Sequence, residues 1–381
     1  MHIAGSSFVH NSLHTRVVAR VGAAGDLLTQ VRALACERPL LITGRALYRT
    51  PHLSAAVSGL AGPGIAHASG VPSHSNMELV SRIVVQAREH GADCIVAIGG
   101  GSVVDTAKAV AVCLAEGEPL AEHATRQTQE GTFFTPALHR PKLPIVAIPT
   151  TPSGSEMTAA FGVRDGEGHK LLFWDAKVAS RVVLLDAAAG MDVDAQVLLA
   201  SGMNGLAHCI EALYSKNTSP LAAAAALSGV QHFLEALPEV ADAPRALTAR
   251  QRLLVAGHLG GAALASAGSC LHHAICHVLG ARTGASHGAL NAVVLPHAIG
   301  FNCDAAGETL APLEARHGEV VLMLRKLQAR IGIATRLRDL GISRDILASA
   351  SQQVMRERGM ANNPRTVNGA SEIEELLVAA W

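Results

Sequence analysis

Residues 94–102 read Cys-Ile-Val-Ala-Ile-Gly-Gly-Gly-Ser, an apolar run followed at once by three glycines. A short, continuous apolar run is typical of a strand that is buried on both faces of a parallel sheet. The three glycines let the chain turn tightly and let backbone N–H groups approach an anion without a Cβ in the way. A helix is predicted from Ser102, and its positive end would attract the same anion. The stretch therefore predicts a turn that binds a nucleotide diphosphate; a plain tight turn, which one or two glycines would satisfy, is the alternative.

Further strands and helices surround this unit. A helix is predicted at residues 77–90 and another at 102–112, with a polar loop at 116–143. A hairpin is predicted at 160–173, where Asp165-Gly166 supplies the turn. The other predicted strands are residues 39–43, 145–148 and 182–185. Buried strands separated by helices indicate a parallel sheet that is covered on both faces.

The second half of the chain has a different character. Four long, mostly alanine-rich stretches predict helices at residues 195–215, 220–237, 248–266 and 321–340. A chain of 381 residues suits two domains. The pattern changes near Ala187 to Asp194, so we predict an α/β dinucleotide-binding domain at 1–188 and an all-helical metal and substrate domain at 189–381.

The composition excludes several classes of protein. The formal net charge is zero, with 31 basic and 31 acidic residues, so we expect no nucleic-acid partner and no anionic membrane partner. The seven cysteines are scattered and contain no CxxC pair, which favours a reducing compartment. The first residues do not have the pattern of a signal peptide, and no apolar stretch reaches the ~18 residues of a membrane span. We expect a cytoplasmic protein.

A second motif follows the predicted strand at 145–148. Residues 148–158 read Ile-Pro-Thr-Thr-Pro-Ser-Gly-Ser-Glu-Met-Thr and concentrate hydroxyl groups that can bind phosphate or ribose. A Ser/Thr helix N-cap explains any one of these hydroxyls, but not so many after a buried strand. A ligand at the carboxyl ends of parallel strands would meet both motifs at once.

The third constellation is rich in histidine. Asn204 and His208 are four residues apart, and so are His273 and His277, which places each pair on one helix face. His272 lies about 100° around the helix from His273, so both cannot face the same site. A single histidine here is more often structural than functional. Several of them in one apolar, glycine-bounded region, with His287 close behind, favour a site for zinc or ferrous iron.

In this order and at these spacings, the motifs resemble the signature segments of the iron-containing alcohol dehydrogenase family. The segments are GGGSVVDTAKA, PTTPSGSEMT, SGMNGLAHCIEALYS, HHAICHVLG and SHGALNAVVLPHAIGFN. The closing NNPRTVNGASEIEELLVAAW resembles the C-terminal helix of that family. The resemblance implies an α/β dinucleotide-binding domain, a helical domain and an active site in a cleft between them. It also implies an enzyme that uses NAD or NADP, and we expect a homodimer that acts on a small molecule.

The resemblance assigns roles to individual residues. It implies that the cofactor is bound by Gly44, Gly99, Gly100, Gly101, Ser102, Asp105, Thr150, Thr151, Ser153 and Ser155, with Lys108 in the same helix as Asp105. It implies that Fe²⁺ or Zn²⁺ is bound by Asn204, His208, His273 and His287. His277 matches a histidine near the nicotinamide that is considered in proton transfer, and His208 and His273 are further catalytic candidates. His297 is expected to pack behind the site.

Asn204 departs from the family pattern, which has an aspartate at this position. An amide oxygen is neutral and binds a divalent cation less well than a carboxylate does. The segments around Asn204 and His277 resemble maleylacetate reductases, which reduce a carbon–carbon double bond. VVDTAKA and HGALNAVVLPHAIGFN instead resemble alcohol dehydrogenases, and Ala274 stands where maleylacetate reductases commonly have a lysine. Without a metal, imidazolium groups of His208, His273 or His277 would stabilise the developing negative charge.

Cofactor choice and reaction class have alternatives of their own. Gly44 stands where an acidic residue would repel a 2′-phosphate, and Arg45 could pair with that phosphate, so both NAD and NADP are expected to bind. The alternatives to a maleylacetate-reductase-like enzyme are a plain alcohol or aldehyde dehydrogenase and a non-redox lyase or cyclase of the dehydroquinate synthase type. A nucleotide-binding protein without catalytic activity is a third, and the retained histidines argue against it.

Overall fold

The computed structural model describes residues 8, 10, 12–44, 51–60, 65–128 and 133–381, which form two compact units. The α/β unit comprises Leu13–Val193 and Leu247–His258, and the helical unit comprises Met1–Ser12, Asp194–Ala246 and Leu259–Trp381.

The strands and helices of the described residues are numbered in chain order. The strands are β1 (Arg16–Ala19), β2 (Pro39–Gly44), β3 (Ala66–Val71), β4 (Cys94–Gly99), β5 (Arg126–Gln127), β6 (Phe133–Phe134), β7 (Ile145–Pro149), β8 (Ala160–Arg164), β9 (Lys170–Trp174) and β10 (Val182–Leu185). The helices are α1 (Leu27–Ala33), α2 (Pro51–Ser58), α3 (Met77–His90), α4 (Gly101–Glu116), α5 (Ala195–Tyr214), α6 (Pro220–Asp242), α7 (Leu247–Ala267), α8 (Leu271–Thr283), α9 (His287–His317), α10 (Val320–Ile331), α11 (Leu347–Val354) and α12 (Ala370–Ala380).

The predicted parallel sheet is confirmed. Six strands pair in the order β1-β10-β7-β4-β2-β3, and every pair is parallel. The chain passes from β2 outward to β3 and then returns to place β4 on the other side of β2. The strand order therefore reverses between β2 and β4, which is the position where open α/β sheets bind their ligands.

The sheet is covered by helices on both faces, because its strands alternate their apolar side chains between two cores. Leu40, Ile42 and Ile95 point into a core that they share with α3 and α4. Leu41 and Val96 point into the opposite core, which they share with α1 and α2. This alternation is the two-residue period of an extended chain, and burial on both faces explains why β2 and β4 read as uninterrupted apolar runs.

The first half of α7 packs within the α/β unit, whereas the predicted boundary assigns it to the second domain. Arg250 donates hydrogen bonds to the carbonyls of Gly190 (2.6 Å) and Val193 (3.0 Å). Gln251 donates to the carbonyl of Leu185 (2.8 Å), directly at the end of β10. These long-range contacts hold residues 189–193 and 247–258 against the sheet.

Helices α8, α9, α11 and α12 form a hydrophobic core in the helical unit. The all-helical prediction is confirmed, but the single helix predicted at 321–340 is wrong. α10 ends at Ile331 because Gly332 takes the left-handed conformation (φ 67°), and a separate 3₁₀ turn covers Leu337–Leu340. Helix α9 is 31 residues long and contains Pro296 and Pro312.

Local structure in the connecting segments follows turn chemistry. The predicted hairpin at 160–173 is present as β8 and β9, and the Asp165 carboxylate accepts hydrogen bonds from the N–H groups of Glu167 and His169. The predicted loop at 116–143 contains a 3₁₀ turn at Leu120–His123 and the short β5–β6 pair. Residues 129–132 lie outside the described residues.

A membrane span is not formed by any single helix in the described part of the chain. Helices α7 and α8 together meet the length and composition of a span, but only as a bent pair.

Lys108 is fully buried in α4 and organises the loop that follows β7. Its ammonium group donates to the carbonyls of Ser155 (2.6 Å), Thr158 (2.8 Å) and Ala160 (3.0 Å). Burial lowers the pKa of Lys108 to about 8, while the nearby Asp105 and Glu156 carboxylates act in the opposite direction. A buried charge has to be satisfied internally, so this lysine fixes residues 155–160 against the helix.

Replacing this lysine tests its structural role. We expect Lys108→Met to lower the free energy of unfolding by about 3 kcal/mol, because it leaves buried carbonyls without their donor and carboxylates without their counter-charge. Denaturant titration measures this loss. Lys326→Met, at an exposed position of α10, is the matched control. Equal midpoints for the two variants would contradict the assignment.

Candidate functional site

The carboxyl ends of three neighbouring strands bring the predicted nucleotide-binding residues together. Thr43 of β2 pairs with Ile98 of β4, and Gly99 of β4 pairs with Pro149 of β7. Gly44, the glycine turn at 99–101 and the loop at 150–155 therefore leave the same edge of the sheet. This edge flanks the β2–β4 switch point.

The glycine turn lies directly against the hydroxyl-rich loop. A Cβ on Gly100 would lie 3.2 Å from Oγ1 of Thr151, and a Cβ on Gly101 would lie 3.2 Å from Oγ of Ser153. Gly99 has a φ of 155°, and a Cβ there would lie 2.5 Å from a methyl carbon of Val103. A side chain at Gly99 would clash with Val103, and one at Gly100 or Gly101 would press on the hydroxyl groups of the loop. Ser102 follows in the first turn of α4, whose free N–H groups favour an anion.

Asp105 and Ser155 bind each other. The Ser155 hydroxyl donates to Oδ1 of Asp105 (2.6 Å), and the N–H of Gly162 donates to Oδ2 (3.1 Å). Both carboxylate oxygens thus hold the second loop and β8 against α4. Thr150 and Thr151 are buried in the same loop, and the N–H of Thr150 donates to the carbonyl of Gly99 (3.0 Å).

Gly44 has room for a side chain. A Cβ there would meet its nearest neighbour, a methyl carbon of Val103, at the ordinary contact distance of 3.8 Å. The glycine at this position is therefore not required by packing in the described residues. Arg45, which the sequence suggests as a partner for a 2′-phosphate, lies outside the described residues.

Sequence reasoning missed a buried acid–imidazole pair in the α/β unit. Oε1 of Glu156 lies 3.2 Å from Nδ1 of His258, and the Glu156 side chain is 1% exposed. Gly257 of the same helix approaches the loop so closely that a Cβ would lie 2.6 Å from the backbone of Pro152. The first half of α7 thus supports the loop after β7. Only the tertiary contact reveals this, since about 100 residues separate the partners.

In the helical unit, four predicted histidines lie around one point. His273 of α8 is central, with its ring centroid 4.8 Å from that of His208 on α5. It is 6.1 Å from the ring of His277 and 6.1 Å from the ring of His287, which begins α9. The rings of His277 and His287 stack at 5.8 Å. Three helices therefore bring these rings together.

Two of the predicted metal ligands, Asn204 and His208, have buried polar atoms that could bind an ion. Asn204 and His208 are buried on one face of α5, and within the described residues Oδ1 of Asn204 and Nδ1 of His208 have no hydrogen-bond partner. Buried polar atoms without a protein partner are the expected state of groups that bind an added ion. An amide oxygen and imidazole nitrogens suit zinc or ferrous iron, so the donor set fits such an ion.

The central His273 is contacted by Glu211, which sequence reasoning missed. Its Oε2 is 2.6 Å from Nδ1 of His273 and accepts a hydrogen bond from the N–H of Cys270 (3.1 Å). Glu211, His272 and His273 present ligand atoms that all lie within 4.8 Å of one another. Burial raises the pKa of Glu211, while His272 and these N–H donors act to lower it. Its position seven residues after Asn204 was the available signal, because that spacing keeps the same helix face.

His272 packs edge-on against His273, with ring centroids 4.9 Å apart, although the sequence predicts that the two cannot face the same site. Its Nε2 lies 3.0 Å from the carbonyl of Asn291, and its Nδ1 lies 3.3 Å from Nδ1 of His273. Burial, together with the neighbouring His273, lowers the pKa of His272 to about 4. It is therefore a neutral, structural histidine at pH 7.

The remaining histidines differ in their access to solvent. Burial lowers the pKa of His208 well below its usual value, so it is neutral at pH 7 and does not act as an imidazolium donor. His277 is 25% exposed, and its Nδ1 lies 3.8 Å from Oε2 of Glu357. His297 lies farther along α9, where it lines a separate cavity with Phe301 and Arg365.

Comparisons with known proteins agree with this architecture. The profile "Iron-containing alcohol dehydrogenase" matches residues 14–187, and the profile "Fe-containing alcohol dehydrogenase family, C-terminal" matches residues 198–381. A maleylacetate reductase of Rhizobium sp. (strain MTP-10005) is 30% identical over 91% of this chain and 90% of its own length. The Salmonella typhimurium protein named "Probable alcohol dehydrogenase EutG" is 32% identical over 79% of this chain and 76% of its own length.

A solved structure shows the same fold. The crystal structure of maleylacetate reductase from Agrobacterium tumefaciens aligns with a TM-score of 0.84 and 29% identity, covering 99% of this chain and 98% of that one. The comparisons confirm the family resemblance, the fold of an α/β domain plus a helical domain, and the prediction of an oxidoreductase. They favour an oxidoreductase over a non-redox lyase. Family membership implies NAD or NADP as cofactor and allows Fe²⁺ or Zn²⁺. This chain belongs to the iron-containing alcohol dehydrogenase family, as an NAD(P)H-dependent oxidoreductase that is similar to maleylacetate reductases.

Proposed function

We propose that the enzyme transfers hydride from NADH or NADPH to the carbon–carbon double bond of maleylacetate or a closely related enone acid. The observation that carries this proposal is the histidine cluster around His273, together with the neutral Asn204 on the neighbouring helix. Hydride addition to an enone creates an enolate, whose negative charge requires oriented hydrogen-bond donors or a cation. Relatives named maleylacetate reductase, at about 30% identity over most of the chain, support the substrate class.

The α/β unit is proposed to bind the nucleotide through the residues at the carboxyl ends of β2, β4 and β7. The glycine turn and Ser102 take the diphosphate, while Thr150, Thr151 and Ser153 supply hydroxyl donors. Asp105 and Ser155 act through their mutual hydrogen bond, which holds the loop in place. Gly44 leaves space for the ribose and, in NADP, for its 2′-phosphate.

The helical unit is proposed to hold Fe²⁺ or Zn²⁺ through Asn204, His208, His273 and His287. When bound, such an ion acts as a Lewis acid toward the oxygen of the substrate. The neutral amide of Asn204 contributes one negative charge less than the aspartate that the family places there. We therefore expect weaker ion retention than in family members that have the aspartate.

His277 is the proposed proton donor. It is the member of the cluster that combines solvent access with contact to the rings of His273 and His287. A general acid has to exchange protons with water between turnovers, and a partly exposed imidazole has the solvent contact that this exchange requires. His208, which is buried and neutral, is a proposed ion ligand and not a proton donor.

A plain aldehyde or ketone reductase is the second candidate. The relative named "Probable alcohol dehydrogenase EutG", at 32% identity, favours it. The alcohol-dehydrogenase-like segment at the start of α9 and Ala274, buried in α8, favour it as well.

We also propose a cytoplasmic homodimer. All seven cysteines are free thiols and six of them are buried, which suits a reducing compartment. Light scattering on the purified chain tests the dimer.

The glycine turn can be tested by filling it. Gly100→Val would place a branched side chain where the diphosphate approaches and against Oγ1 of Thr151. We expect NADH binding to weaken at least about tenfold, or about 1.4 kcal/mol. Titration calorimetry measures the Kd. Gly166→Val in the hairpin turn, where a Cβ meets open space, is the control. Unchanged binding by the Gly100 variant would refute the diphosphate assignment.

The substrate proposal is tested by kinetics. Purified enzyme is assayed with NADH and with NADPH against maleylacetate and a panel of aldehydes, and nicotinamide oxidation is followed together with product. We expect kcat/KM for maleylacetate to exceed that for any aldehyde by at least about tenfold, which is 1.4 kcal/mol of additional transition-state binding. The reverse ranking would favour the aldehyde reductase. Product formation without nicotinamide oxidation would contradict both.

The metal proposal is tested by removing the ion. If the histidine cluster holds a catalytic ion, gently purified protein contains about one zinc or iron per chain. Exhaustive chelation then abolishes activity, and adding the ion back restores it. Asn204→Asp is expected to slow the loss of metal during dialysis. Full activity in a sample whose metal content is zero would refute the Lewis-acid role and leave His273 and His277 as the charge-stabilising groups.

A further inference from the structure

We infer that Glu211 is the positioning carboxylate of this site: it orients His273 and supplies the negative charge that Asn204 lacks. The inference deepens the proposed function, because it rests on the same histidine cluster. Glu211 lies within the quoted segment SGMNGLAHCIEALYS, but the resemblance assigned it no role.

The contact between Glu211 and His273 has the geometry of a positioning hydrogen bond. Oε2 of Glu211 lies 2.6 Å from Nδ1 of His273, a distance typical of a strong, charge-assisted hydrogen bond. The contact makes Nδ1 the protonated nitrogen of His273. It therefore leaves Nε2 as the nitrogen whose lone pair is available to an ion. A carboxylate behind a metal-binding imidazole fixes the ring in this way and makes it a better ligand.

Both carboxylate oxygens of Glu211 are also held by backbone donors at the start of α8. Oε2 also accepts from the N–H of Cys270 at 3.1 Å, and Oε1 accepts from the N–H of His273 at 3.4 Å. Both oxygens face N–H donors, and an ionised carboxylate is a pure acceptor.

The position of Glu211 on α5 supports the same role. Asn204, His208 and Glu211 follow one another at spacings of four and three residues, so they share one face of the helix. The first member of this row is a neutral amide, and the last is a carboxylate that acts on the same site through His273. The row therefore still contributes one negative charge, and the His273 ring lies between that charge and the proposed ion.

A purely structural role is the rival explanation. Cys270 is the N-cap of α8, so Glu211 also satisfies the first turn of that helix. Losing such a cap would lower the stability of the protein without a specific effect on ion binding. The experiment therefore has to separate affinity for the ion from stability.

The experiment compares Zn²⁺ binding by four chelator-treated proteins: wild type, Glu211→Gln, Asn204→Asp and the double variant. Calorimetry gives the Kd, and thermal unfolding gives the stability. We expect Glu211→Gln to weaken Zn²⁺ binding by about ten- to a hundredfold. We expect Asn204→Asp to recover most of that loss in the double variant, because it returns the missing charge to the site.

A matched control is Glu357→Gln. Glu357 is 23% exposed and lies 3.8 Å from His277, so it is an acidic neighbour of the cluster that does not contact His273 in the described structure. Its Zn²⁺ Kd should change by less than about twofold. If Glu211→Gln lowers only the melting temperature, or weakens binding without recovery by Asn204→Asp, the inference is overturned and Glu211 is a structural cap.

Failure of the metal proposal is distinguishable from failure of this inference. If wild-type protein binds no Zn²⁺, the metal site is refuted, and Glu211 is judged by the tautomer of His273. Nitrogen-15 NMR of histidine-labelled protein, with His273→Asn identifying the signal, should show Nδ1 protonated in wild type and a changed signal in Glu211→Gln. A His273 that is protonated at Nε2 alone in wild type would overturn the inference.

Discussion

A charged side chain that leaves water has to find its hydrogen-bond partners inside the protein, and this constraint shapes both units of the molecule. In the α/β unit the charge is the Lys108 ammonium, which is met by the carbonyls of the loop after β7. In the helical unit it is the Glu211 carboxylate, which is met by N–H donors at the start of α8. Each buried charge holds a functional segment in place.

The proposed nucleotide-binding edge combines small residues with buried polar residues. The glycines at 99–101 let the turn after β4 lie against the hydroxyl loop after β7, at distances that a side chain would occupy. Lys108 and Asp105 then hold that loop from below. The glycines provide the space, and the charged residues provide the rigidity that an anion site needs, since donors that are already oriented do not have to be ordered on binding.

The helical unit combines features of maleylacetate reductases with features of alcohol dehydrogenases. Asn204 is a neutral amide where the family pattern has an aspartate, yet the histidines and a carboxylate beside His273 remain. Either chemistry needs an oriented positive group near the substrate oxygen. A cluster with His273 at its centre can present an ion or an imidazolium at that point.

Much of this arrangement was predictable because it is encoded locally. Continuous apolar runs predicted the buried strands β2, β4, β7 and β10. Three consecutive glycines predicted the turn after β4. The four-residue spacing of Asn204 and His208 placed both on one face of α5. Each of these signals depends on period, burial or backbone freedom within a few residues, so the sequence alone determined the fold class and most candidate residues.

Other features were decided only by the tertiary structure, because their partners are far apart in the chain. Glu211 contacts His273 across 62 positions, and Glu156 contacts His258 across 102. The packing of residues 247–258 against the sheet depends on Arg250 and Gln251 reaching carbonyls about 60 residues away. A repeating pattern of neighbouring residues carries no information about such distant pairs. In the sequence, Glu211 cannot be distinguished from other glutamates in helices, because only the fold brings His273 to within 2.6 Å of it.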